Sequence, residues 1–219
     1  MMQDFAYPQL ASRLVGRPLL LHPDKADLIL QVFSGRLAFP SVEAANANRF
    51  VGQARSHSGQ QTSFRIQDGV AILPIVGSLV NRGAWIGAQS GLVSYEGIMA
   101  QLKEAEANPD IKAVVLDIDS PGGEASGMVT AAAAISKLDQ VKPVVALVND
   151  VAASAAYGLA SAAREILMSP TSLLGSIGVV LTHLDRSGEL EDRGVKPTLI
   201  HAGAHKFDGH QFGPLSDAV

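Results

Sequence analysis

Three apolar runs, 70–76, 111–118 and 144–148, constrain this chain more than any other feature, because each is separated from the next by a stretch of helical periodicity. Short runs of this kind read as buried strands, and strand–helix–strand order implies parallel βαβ units with right-handed crossovers. Ser94 is placed to cap a helix in which Ile98, Met99, Leu102 and Ala105 share a face, and Asn108-Pro109 ends it. Further helices are expected over 124–138 and 153–163, and further strands over 166–168 and 197–200. The fold class is therefore α/β. With 47% hydrophobic and 17% charged residues among 219, the chain has ample material for a core and is not intrinsically disordered.

The composition also excludes chemistries. There is no cysteine, so disulfides, zinc–thiolate sites and cysteine nucleophiles are ruled out. A net charge of −4 and a pI near 5.8 argue against nucleic acid as a partner. The first eight residues contain Asp4 and no basic run, unlike a secretory signal. No apolar stretch approaches the roughly 20 residues that span a bilayer, so no membrane anchor is expected.

Residues 1–65 read as an N-terminal extension and linker, and 66–219 as the main domain. Within the extension, Leu19–Leu21 and 26–33 are apolar, and Leu28, Ile29, Val32 and Phe33 suit one face of a short helix. Residues 41–62, rich in Ala, Asn, Gln, Ser and Gly, read as a linker. The extension either docks or assembles with a partner or simply caps the main domain.

Three segments can carry chemistry. Ser120-Pro121-Gly122-Gly123 follows a strand, and two glycines there permit a tight turn with exposed backbone N–H groups, able to hold an oxyanion or only to turn the chain. The spacing Asp117, Asp119, Gly122 fails as a calcium loop, because position twelve is Met128. Ser154 stands in an alanine-rich segment, with seven alanines among residues 152–163. It is either an ordinary N-cap or a hydroxyl facing a cleft, with the Ala155 N–H beside it. Its surroundings are not Gly-x-Ser-x-Gly. Lys206 lies in Ala202-Gly-Ala-His-Lys-Phe-Asp208, either solvated or partly buried among small and apolar residues.

Taken in order, Asp119-Ser-Pro-Gly-Gly123, Ala152-Ala-Ser-Ala-Ala-Tyr157, Gly175-Ser-Ile-Gly-Val179 and Gly203-Ala-His-Lys206 resemble the S49 serine peptidases, which include signal peptide peptidase A and, more similar still, the capsid-assembly proteases of tailed phages. The 52-residue interval between Ser154 and Lys206 also suits that family. The resemblance runs from about residue 70 to 215. It implies a ClpP/crotonase-like fold with repeated ββα and βαβ units, and a Ser–Lys dyad. By that resemblance Ser154 is the nucleophile, Lys206 the general base and Ser176 the residue that orients the lysine. Gly123 and Ala155 supply the oxyanion hole, and Gly122 and Gly123 bind substrate. No metal, nucleotide or other cofactor is implied.

An unperturbed lysine has a pKa near 10.4, whereas a base working at neutral pH needs about 7–8. Burial supplies such a shift by disfavouring the ammonium, and Phe207 and the alanine-rich helix are the candidate walls. A carboxylate beside the amine would oppose the shift, so Asp208 is expected to point away. The competing arrangement uses His183 and Asp185 with Ser154 as a triad. The remaining histidines, His22, His57, His201, His205 and His210, lack metal-ligand spacing. An extended peptide can lie beside Gly122-Gly123 as an added strand, with residues 77–85, including Trp85, as a candidate wall.

The expected function is a serine endopeptidase that processes capsid, portal or scaffold proteins in phage head maturation. It would act as a homo-oligomer in the host cytoplasm, inside the prohead. The alternatives are a signal-peptide-peptidase-A-like bacterial protease, a non-catalytic scaffold or assembly module, and a crotonase-like acyl-CoA enzyme. Pro214 to Asp217 reads as a helix start capped by Ser216, yet the sequence ends at Val219. The helical region with which relatives continue is therefore expected to be missing.

Overall fold

A computed structural model describes residues 19–21, 54–55, 61–83 and 91–215. The chain divides into two compact units, 19–180 and 1–18 with 181–219.

The larger unit is built on a sheet ordered β11-β10-β8-β5-β4, with β12 also on β10. Its strands are β4 (Arg65–Gln67), β5 (Val70–Val76), β8 (Ala113–Ser120), β10 (Val144–Ala153), β11 (Glu165–Met168) and β12 (Leu173–Gly175). Only β4 runs antiparallel. The three expected apolar runs are its central strands, as parallel βαβ order requires. Every second residue is buried: Ala71, Leu73 and Ile75 on β5, Val114, Leu116 and Ile118 on β8, Val144, Ala146 and Val148 on β10. These share one core with Ile98, Leu102 and Ala105 of α1 (Tyr95–Ala107) and with Ala131, Ile135 and Leu138 of α2 (Met128–Asp139).

Ser94 caps α1 as expected, its hydroxyl accepting from the Gly97 N–H at 3.1 Å. α2 starts four residues later than the sequence suggests. Gly127, at φ 96°, supplies a left-handed break immediately before it, and Glu124 belongs to a strand instead. α3 (Ala155–Ala160) is likewise shorter than expected, because β10 continues through Ala153. Residues 197–200 form no strand: Pro197 has no N–H to donate, and Ile200 is 90% exposed with no sheet to cover it.

A second sheet, ordered β1-β9-β6-β7, was not foreseen. It comprises β1 (Leu19–Leu21), β6 (Ser78–Val80), β7 (Leu92–Ser94) and β9 (Gly122–Glu124). Within the expected linker, β2 (Ala54–Arg55) and β3 (Gln61–Thr62) pair antiparallel. The expected helix at Leu28, Ile29, Val32 and Phe33, the Ser216 cap and Trp85 lie outside the described residues.

In the smaller unit, residues 181–215 are described, with α4 (Ser187–Asp192) and a turn-rich segment over 202–209. The Arg186 N–H donates to the Gln211 carbonyl at 2.8 Å, which ties the two together. Among the described residues, no helix is long and apolar enough to cross a membrane.

Candidate active site

Ligands of open α/β sheets gather at the carboxyl ends of the strands, and there β8 and β10 deliver the two most informative motifs. Ser120, the last residue of β8, pairs with Ala152 of β10, two residues before Ser154. From this shared end the chain leaves in two directions, into β9 through Gly122-Gly123 and into α3 through Ser154. α3 packs on β9, so the two motifs stay together.

The Gly122-Gly123 segment is fixed on all sides. Gly122 has φ 99°, which favours glycine, and its N–H donates to Ser120 Oγ at 3.2 Å. Gly123 lies directly on the Leu79 backbone of β6, leaving no room for a Cβ. Glu124 is buried, and its carboxylate accepts from the Asn81 N–H at 2.8 Å. The Glu124 carbonyl accepts from the Tyr95 hydroxyl at 2.6 Å. Tyr95 is fully buried, and burial first, then the nearby Glu124 carboxylate, pushes its phenol up. Tyr95→Phe removes this buried hydrogen bond, and is expected to lower unfolding stability by about 1 kcal/mol in urea titration. Sequence reading missed this support. The visible signal was a carboxylate directly following two glycines and an apolar strand.

Ser154 stands at the N-cap position of α3 but does not cap it. Its side chain makes no capping bond, and its backbone sits at φ 56°, ψ −115°. A non-glycine residue in that region carries strain, which concentrates at functional sites. The surroundings hold it there: the Ser154 N–H donates to the Gly175 carbonyl at 2.8 Å, and its own carbonyl accepts from the Gly158 N–H at 3.0 Å. The hydroxyl is buried and, among the described residues, reaches only the Gly178 carbonyl, at 3.4 Å. That is long for an O–H donor, so a well-placed base would compete easily for the proton. The Gly175-Ser-Ile-Gly segment is thereby drawn to Ser154. Ser176 itself is exposed, at φ 54°.

Lys206 lies in the smaller unit, on a turn whose N–H meets the Gly203 carbonyl at 3.4 Å, and it is exposed rather than partly buried. The reason is local. Residues 202–206 are mostly small, and the Phe207 ring packs edge-on against His201 at a centroid separation of 5.1 Å. Asp208 engages His205 Nδ1 at 2.7 Å.

His183 and Asp185, the partners of Ser154 in the competing triad, both lie in the smaller unit. His183 Nε2 donates to the His210 carbonyl at 2.9 Å, which occupies that nitrogen. The Ser187 N–H, donating at 2.9 Å, holds the Asp185 carboxyl below its ordinary range. Among the described residues, no group of three His, Cys, Asp or Glu side chains stands close enough to hold a metal ion.

The sequence matches peptidase family S49 over residues 136–219 and Clp protease over residues 73–172. It is 36% identical over 223 residues to capsid assembly protease C of Escherichia phage lambda, covering 97% of this chain and 51% of that protein. It is 48% identical over 156 residues to head-tail preconnector protein GP5 of Enterobacteria phage P21, covering 71% of this chain and 31% of that protein. The chain belongs to peptidase family S49.

The S49 assignment extends beyond phages: the chloroplastic serine protease SPPA of Arabidopsis thaliana is 30% identical over 139 residues, 64% of this chain and 20% of that protein. The α/β fold is ClpP/crotonase-like, in keeping with the Clp protease match across β5 to β11. The S49 chain spans 51% of the lambda protein and 31% of the P21 protein.

Proposed function

We propose that this S49 chain is a serine endopeptidase with a Ser–Lys dyad that cuts capsid, portal or scaffold proteins during phage head maturation. The observation that carries the reading is Ser154, a strained and buried serine at the strand ends beside Gly122-Gly123. The names of the phage relatives support the substrate class.

In the proposed reaction, neutral Lys206 Nζ accepts the Ser154 hydroxyl proton while Oγ attacks the substrate carbonyl carbon. The N–H groups of Gly123 and Ala155 receive the developing oxyanion. Lys206 then passes its proton to the leaving amine as the C–N bond breaks. A water, deprotonated by the same amine, attacks the acyl-enzyme and restores Ser154. Ser176 orients Lys206, and Gly122 and Gly123 bind the peptide backbone. Because Ser154 and Lys206 belong to different compact units, their pairing is part of the proposal. So are the expected homo-oligomer and the location inside the prohead.

The alternative is a non-catalytic assembly module. Incubating the chain with purified capsid, portal and scaffold proteins of a tailed phage separates the two. Discrete products, mapped by mass spectrometry, are expected from at least one of them. Lys206→Ala is expected to lower kcat at neutral pH by about 10²–10⁴-fold, the usual contribution of a general base. Intact proteins after prolonged incubation favour the assembly module.

A further inference from the structure

The proposed function leaves unexplained an apolar triplet in the N-terminal extension. Leu19–Leu21 forms β1, far in sequence from the core, and pairs antiparallel with β9. Its register sets Leu19 opposite Glu124, Leu20 opposite Gly123 and Leu21 opposite Gly122. The other edge of β9 is taken by β6, where Leu79 meets Gly123. β1 therefore lies along the one edge of the Gly122-Gly123 strand to which an extended peptide could add.

We infer that this edge of β9 is the docking edge for an extended apolar peptide, and that Leu19–Leu21 occupies it as an internal stand-in for substrate. The inference rests on the proposed peptidase reading and names the peptide edge of that same site. α3, directly after Ser154, packs on β9, so the strand that carries this edge belongs to the surroundings of the serine. Strand addition fits such an edge, because main-chain bonds supply affinity whatever the sequence. An incoming peptide would remake the ladder that β1 gives up, so the exchange loses no backbone pairing.

β1 is suited to leave. It is three residues long and bracketed by Pro18 and Pro23, neither of which can donate an N–H to extend the ladder. A short edge strand of this kind belongs to the part of a fold that opens most readily. The partner it fits is a peptide with consecutive aliphatic residues, the chemistry of Leu-Leu-Leu itself.

The test uses the full chain and a fluorescein-labelled peptide, Gly-Arg-Pro-Leu-Leu-Leu-His-Pro-Asp, which copies residues 16–24. The natural sequence has no cysteine, so Leu20→Cys introduces a single thiol. Its reaction with a disulfide reagent is expected to accelerate at least about fivefold at saturating peptide, because the strand is protected only while paired. In a second variant, Leu20→Pro weakens β1, and fluorescence anisotropy is expected to give a Kd at least about tenfold lower than for the natural chain, since more molecules present a free edge. An unchanged thiol rate with peptide bound, or equal Kd values for Leu20→Pro and the natural chain, overturns the inference. Labelling of Ser154 by a fluorophosphonate reads the peptidase proposal separately. Labelling without strand displacement overturns the edge assignment alone, whereas displacement without labelling supports the edge and removes the hydrolytic reading.

Discussion

Ser154→Ala is expected to lower kcat for peptide cleavage by at least about 10⁴-fold, some 5 kcal/mol at 1.36 kcal/mol per decade. The loss is large because acyl transfer without the nucleophile must proceed by direct water attack, with only the oxyanion donors and substrate binding left to help. The fold should scarcely register the change. Among the described residues the hydroxyl's only hydrogen bond is the long one to the Gly178 carbonyl at 3.4 Å, so the urea midpoint should move by less than about 1 kcal/mol equivalent. Alanine is no more comfortable than serine at φ 56°, so the local strain persists. Steady-state cleavage kinetics alongside urea unfolding separate the two effects. Activity retained by a folded Ser154→Ala protein would remove the serine from the mechanism.

Gly123→Ala is expected to show the opposite pattern, a large loss of stability. An added Cβ would collide with the Leu79 carbonyl oxygen and sit 2.6 Å from that residue's carbonyl carbon and amide nitrogen. These are backbone atoms of β6 and cannot swing aside as a side-chain tip would. Relief would require β9 to part from β6, carrying Glu124 away from its Asn81 contact and Tyr95 from its carbonyl partner. Overpacking of this kind costs about 3 kcal/mol or more when the neighbour is rigid. Urea titration measures it. A midpoint unchanged from the natural chain would show that β9 and β6 are not in close contact.

The large sheet was readable because its strands carry their own signal. The runs at 70–76, 111–118 and 144–148 are apolar enough to be buried wherever the chain goes. Ser94 was readable for a similar reason, since its cap bond to Gly97 is local. The second sheet was not readable. β1, β6, β7 and β9 have three residues each, too few for a periodicity, and Gly-Gly-Glu becomes a strand only through pairing with Leu19–Leu21 and Leu79. The same tertiary contacts, with Gly127, delayed the start of α2.

The site divides in the same way. Nothing local distinguishes Ser154 from a helix cap. Its motif pointed to a nucleophile only through the family resemblance, and its strained backbone was visible only in three dimensions. Lys206 stands on a turn of the smaller unit, and its pairing with Ser154 likewise rests on the family resemblance.

The central claim is that Ser154 is a nucleophile activated by Lys206. Its most direct test is reaction of the full chain with a fluorophosphonate, followed by peptide mass spectrometry. The account predicts one adduct, on Ser154, forming faster as pH rises from 6 to 9, and at least about 10²-fold slower in Lys206→Ala. An adduct on another serine, or a Lys206→Ala protein that labels Ser154 at the natural rate, would contradict it.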